Sequence, residues 1–74
     1  MNSYAAVLFF YTNYAIWTAR VLKKNNIQGK MIPIPRHLSS DCGYCVRINA
    51  ADADTVTGLL KSNSIEYDRI ETIS

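Results

Sequence analysis

Residues 4–11 (YAAVLFFY) form an apolar, aromatic-rich run closed off by polar neighbours on both sides. A run of that length is too short for an ordinary buried helix, and its composition predicts a strand buried on both faces. The polar pair Thr12-Asn13 follows, either of which can cap a helix of about three turns that ends near Asn25. Within it, Ala15, Thr18, Ala19 and Leu22 recur at i, i+3, i+4 and i+7, a narrow stripe of small residues that lets a helix lie close to a sheet. Ile16 flanks that stripe. Trp17 and Val21 fall at its edge, where they either cover the sheet margin or offer a surface to a partner.

Asn25-Asn26 and Gly29 then break the helical pattern, and Ile27 between them is placed to pack back on the helix end, as after a left-handed stop. Residues 30–35 (KMIPIP) read as a second strand, whose two prolines lack backbone donors and so place it at a sheet edge. A polar connection over residues 36–42 leads to a third strand, residues 43–48 (GYCVRI). On a period of two, Tyr44, Val46 and Ile48 share one face of it while Cys45 and Arg47 share the other. Residues 49–54 offer several capping side chains, and Val56, Leu59, Leu60 and Asn63 carry helical spacing through a second helix. Asp52 and Asp54 suit the positive end of that helix; as a calcium site they lack ligands. The alternation of residues 67–73 (YDRIETI) predicts a fourth strand, half-buried or on an edge, with Tyr67, Arg69, Glu71 and Ile73 opposed to Asp68, Ile70 and Thr72.

Strand, helix, strand, strand, helix, strand, with strands two and three joined as a hairpin, is the order of an α+β ferredoxin-like βαββαβ fold. That fold is a four-stranded antiparallel sheet with both helices on one face. The other face is left for solvent or a partner, which makes it the candidate surface for a homodimer.

With 74 residues, 49% of them apolar and 19% charged, residues 1–74 are expected to form one folded domain with a single core. A net charge of +2 with the cations scattered among acids argues against a nucleic-acid partner. The one basic pair, Lys23-Lys24, closes the first helix, where cations suit the macrodipole. The apolar stretch up to Trp17 is not preceded by a basic segment, is interrupted at Thr12-Asn13, and falls short of the ~20 residues of a membrane span. Neither export nor a membrane is expected, so the cytoplasm is the expected compartment and the two cysteines are expected to be thiols.

The segment 33–43 (PIPRHLSSDCG), followed by Arg47, concentrates the chemistry. It resembles the selenium/sulfur carrier-like family of small bacterial domains, whose pattern is proline-arginine, a leucine, two serines, a variable residue, cysteine-glycine and a downstream arginine. Pro35, Arg36, Leu38, Ser39, Ser40, Cys42, Gly43 and Arg47 supply those elements. The similarity extends to the apolar first strand, the Ala-containing first helix ending before Ile27, and the passage from Leu59-Leu60-Lys61 to Ile65-Glu66-Tyr67. The resemblance implies the ferredoxin-like fold and a carrier, not itself an enzyme and without a cofactor. Its Cys42 would hold a persulfide or selenosulfide between donor and acceptor proteins, a cysteine desulfurase being one such donor.

Read alone, the residues suit that chemistry. A carrier thiol must ionise near neutral pH, and its pKa of ~8.5 falls beside cations or oriented amides. Arg36 and Arg47 are the available cations, and Ser39, Ser40 and Gly43 supply hydroxyls, amides and backbone freedom for an anion nest. The alternatives are a Cys42 that is merely a small buried apolar residue, and arginines that form exposed ion pairs with Asp41 or Glu71. Cys45 completes a C-x-x-C with Cys42, but the motif runs into a strand rather than opening a helix. Three extended residues span ~10 Å, whereas disulfide-bonded Cα atoms lie ~4.4–6.8 Å apart. Cys45 is therefore either a packed strand residue or a resolving thiol that needs a turn at Gly43. His37, Cys42 and Cys45 could approach a zinc ion but lack a fourth ligand unless Asp41 joins them, so no metal is expected; His37 is a loop residue that could also activate the thiol. Two other classes stay open: a redox module cycling Cys42 and Cys45, and an interaction domain whose sheet face docks a partner.

Overall fold

The computed structural model describes residues 3–38 and 43–73, and among these the chain runs β1 (Tyr4–Leu8), α1 (Thr12–Lys24), β2 (Gly29–Pro33), β3 (Tyr44–Asn49), a 3-10 turn (Ala50–Asp52), α2 (Ala53–Ser62) and β4 (Arg69–Thr72). The strands form one antiparallel sheet in the order β2-β3-β1-β4. This is the ferredoxin-like arrangement: each βαβ unit leaves a gap between its two strands that the other unit fills.

The apolar run of β1 explains why it lies inside. It pairs with β3 on one side (Val7 opposite Val46) and with β4 on the other (Val7 opposite Ile70), so both its faces need apolar side chains. Ala5, Val7 and Phe9 face the helices with Val46 and Ile48, packing on Ala15, Leu22, Val56 and Leu60. Ala6, Leu8 and Cys45 are buried on the opposite face. The alternation of β3 falls as its sequence predicts, and β2 and β4 are the edges. Pro33 sits at the end of edge strand β2, where its missing N–H leaves no gap in a central ladder.

Both helices stop by the same device. In α1, Asn26 adopts φ 58°, the Ile27 N–H donates to the Leu22 carbonyl (2.9 Å), and the Asn26 N–H donates to Lys23 (3.2 Å). In α2, Ser64 adopts φ 55°, with Ile65 donating to Leu60 (2.9 Å) and Ser64 to Lys61 (3.1 Å). These are Schellman stops, and Asn25 and Asn63 each add a side-chain amide to the carbonyl four residues back (2.8 and 2.9 Å). The sequences Asn-Asn-Ile and Asn-Ser-Ile thus do one job in the two halves of the fold.

Four local expectations are corrected. β1 ends at Leu8, not at residue 11, because the Leu8 carbonyl takes the Asp68 N–H (2.7 Å) and the chain then turns into α1, leaving Phe10 and Tyr11 exposed. The N-cap of α1 is Tyr11 in an extended conformation without a side-chain cap bond, so Thr12 is the first helical residue rather than the cap. Asn49 does not cap α2. Its amide donates to Gln28 (3.2 Å), and a 3-10 turn intervenes before the helix, with Asp52 at the N-cap making no side-chain cap bond and Asp54 in the first turn. Finally, β4 begins at Arg69, and Tyr67 packs with the helix-side core rather than extending the strand.

Candidate functional site

The sheet face away from the helices is built in rows set by the strand register. Lys30, Arg47, Ala6 and Glu71 lie side by side across β2, β3, β1 and β4, and Ile32, Cys45, Leu8 and Arg69 form the next row. Toward the Pro33 end of β2 the chain leaves the sheet and folds back over it. The Ile34 N–H donates to the Gly43 carbonyl (3.3 Å), and a turn closes where the Leu38 N–H donates to Pro35 (3.0 Å). Arg36 and His37 are exposed at the tip of that turn. Ile34 and Leu38 pack, with Ile32 and Ile73, against Ala6, Leu8 and Cys45.

This corrects the expectation of a second face left wholly to solvent or a partner. One end of it is roofed by Ile34 and Leu38, which follow β2, because both are apolar and the row beneath them is too. On β3, Cys45 has 0% of its surface exposed and packs with Ile34 and Leu38. A thiol so enclosed offers no path to an incoming sulfur donor unless the roof lifts.

The arginines have separate settings. Arg36 is a turn residue. Arg47 lies in mid-sheet with its guanidinium 4.5 Å from the centre of the Tyr4 ring, a cation–π contact that fixes the side chain over the open face. The Arg47–Glu71 ion pair considered from sequence gives way to another, since Arg69 lies between Asp68 (2.6 Å) and Glu71 (3.4 Å). Those carboxylates and Arg69 are partly exposed, so the cluster orients side chains more than it stabilises the fold. Tyr4 as the seat of Arg47 was not anticipated, although its alternation with Ala6 and Leu8 placed it on that face.

Gly43 is not held by backbone need. Its φ is not positive, and a Cβ there would meet nothing within 4 Å. The more crowded glycine is Gly29, where a Cβ would lie 2.6 Å from Cδ1 of buried Leu22 in α1, so that the leucine side chain would have to shift. Ser39, Ser40, Asp41 and Cys42 lie outside the described residues. Of the zinc-ligand set considered from sequence, His37 is exposed on the turn and Cys45 is enclosed in the sheet, while Cys42 and Asp41 lie outside the described residues. Among the described residues no helix is long and apolar enough to cross a membrane.

No curated protein and no solved structure matches the chain. A family profile described as Putative Se/S carrier protein-like matches residues 4–71, from the first residue of β1 into β4 and through the whole β2–β3 connection. With that span matched and the ferredoxin-like sheet in place, the chain belongs to the Se/S carrier protein-like family.

Proposed function

We propose that the chain, acting as one unit in the cytoplasm, carries a sulfur or selenium atom on Cys42 between a donor and an acceptor protein. The observation that carries this reading is family membership over residues 4–71, a span that contains Cys42. The redox alternative differs in requiring both Cys42 and Cys45.

In the loading step the Cys42 thiolate attacks the terminal sulfur of a donor's cysteine persulfide. The donor's S–S bond breaks, its thiolate leaves, and a persulfide forms on Cys42. One S–S bond is lost and one gained, so no external oxidant or reductant enters. Release to an acceptor thiolate is the same exchange in reverse. A selenium atom would move by the same exchange through a selenosulfide. Arg36, Ser39, Ser40 and Gly43 would surround the anion with positive charge and donors, which favour a thiolate or persulfide over its protonated form, while Arg47, whose guanidinium rests on Tyr4, would add positive charge from farther along the sheet. The protein turns over no substrate alone, and it requires no cofactor or metal.

The test is intact mass after incubation of the reduced protein with a cysteine desulfurase and cysteine. The wild type and Cys45→Ala should gain one sulfur atom and Cys42→Ser none. Alanine is the better control at Cys45, because serine would place a hydroxyl in an enclosed apolar site. A loss of two hydrogens that needs both cysteines would instead establish the redox module.

A further inference from the structure

On the helical side of the molecule, α1 and α2 leave a groove of about 540 Å³ between them. Its apolar lining is Trp17, Val21 and Leu59, and its cationic lining is Arg20 and Lys24. The four α1 residues follow from helical spacing: 17, 20, 21 and 24 are the i, i+3, i+4, i+7 positions of one stripe. Trp17 is 42% exposed, and its ring lies nearly parallel to that of Tyr14 with centroids 6.5 Å apart, so the groove offers an aromatic anchor.

The polar groups at the groove divide into two kinds. Asn25 and Asn63 spend their amides on the Val21 and Leu59 carbonyls. Arg20 and Lys24 have no carboxylate partner among the described residues, and no acidic side chain lines the groove. Like charges one turn apart disfavour a helix. The macrodipole accounts for Lys24 in the last turn of α1, but not for Arg20, which lies before it.

We propose that this groove docks an acidic amphipathic segment of a partner protein. Large apolar side chains of that segment would seat on Trp17, Val21 and Leu59, and its carboxylates would reach Arg20 and Lys24. The volume falls within the ~300–1,000 Å³ of pockets that enclose whole ligands, enough to take a few large side chains. A second copy of this chain fits poorly. A two-fold contact would set the same patch against itself and bring Arg20 and Lys24 against their own copies. A bilayer surface fits poorly too, being unable to fill a concave site between two helices. The surface is separate from the β2–β3 connection, so the inference holds whether or not Cys42 carries a chalcogen.

The probe is a synthetic helical peptide of leucine and glutamate with leucine at i, i+3, i+4 and i+7, titrated into the ¹⁵N-labelled full chain. A second peptide has lysine in place of each glutamate. Trp17, the single tryptophan, reports by fluorescence and by its indole N–H. The acidic peptide should shift Trp17, Val21 and Leu59, and the lysine peptide should not. The double substitution Arg20→Gln/Lys24→Gln, at two exposed positions, should weaken binding about tenfold and flatten its salt dependence. Four results would overturn the proposal: no binding, equal binding of both peptides, shifts centred on the open sheet face, or shifts produced by protein concentration alone. Preference for phosphatidylserine vesicles over the peptide would reassign the groove to a membrane.

Discussion

Leu38 is half-buried on the Ala6, Leu8 and Cys45 cluster, at the far end of a turn whose two tip residues are exposed. Truncating it to alanine removes most of the side chain that holds this connection on the sheet. Full burial of a leucine contributes ~1.5–3 kcal/mol, so a half-buried one with its Cβ retained should lose ~0.5–1.5 kcal/mol. If Cys45 reacts only when the roof lifts, its alkylation rate is the opening equilibrium multiplied by the rate of an exposed thiol. A loss of ~0.5–1.5 kcal/mol then speeds the reaction by about 2–13-fold. The assay is iodoacetamide labelling followed by mass in a Cys42→Ser background, where Cys45 is the sole cysteine. Leu59→Ala is the control, a half-buried leucine on the helical side that lowers global stability without touching the roof. The reasoning fails if Cys45 labels as fast as a peptide thiol before any change is made. It fails equally if Leu59→Ala accelerates labelling as much as Leu38→Ala, since exposure would then come from global unfolding.

Other changes separate the local claims. Gly29→Ala should cost ~1–3 kcal/mol in urea unfolding because its Cβ meets buried Leu22, whereas Gly43→Ala should stay within about 0.5 kcal/mol. Ser64→Gly should stabilise by a few tenths to about 1 kcal/mol, relieving the left-handed φ at the end of α2, and Asn26→Ala should destabilise by about 1 kcal/mol for the converse reason. Removing the guanidinium from the Tyr4 ring by Arg47→Gln should cost about 0.5–1 kcal/mol and, if Arg47 helps hold the anion, should slow sulfur loading without abolishing it.

Much of the fold could be read from local chemistry. The period-two pattern of β3 assigned its faces correctly, the prolines placed β2 at an edge, and Asn26-Ile27 marked the stop of α1. Each of those signals is carried by residues adjacent in sequence. What escaped depended on contacts between distant segments. The apolar run continues past Leu8, so nothing in it marks where the ladder ends; that is set by Asp68, the residue before β4. Leu38 sits among polar residues with no periodicity, and Ile34 read as a continuation of β2 rather than as the start of a covering segment, so their folding over Cys45 had no signature. Arg47 was singled out as a cation, but its seat on Tyr4 follows from register. Two glycines looked alike in sequence, and only the approach of α1 distinguishes Gly29 from Gly43. The motif itself was legible because the family's residues fall in one short segment, of which Ser39, Ser40 and Cys42 rest on sequence alone.

The central claim is the location of the transferred atom, and fragmentation of the loaded wild-type protein tests it most directly. After incubation with a cysteine desulfurase and cysteine, and trapping with iodoacetamide, trypsin cleavage at Arg36 and Arg47 yields one peptide containing both cysteines. Fragment ions that place the extra sulfur on Cys42, with Cys45 unmodified, are the predicted result. Extra sulfur on Cys45, a bond between the two cysteines, or no added atom would contradict the account.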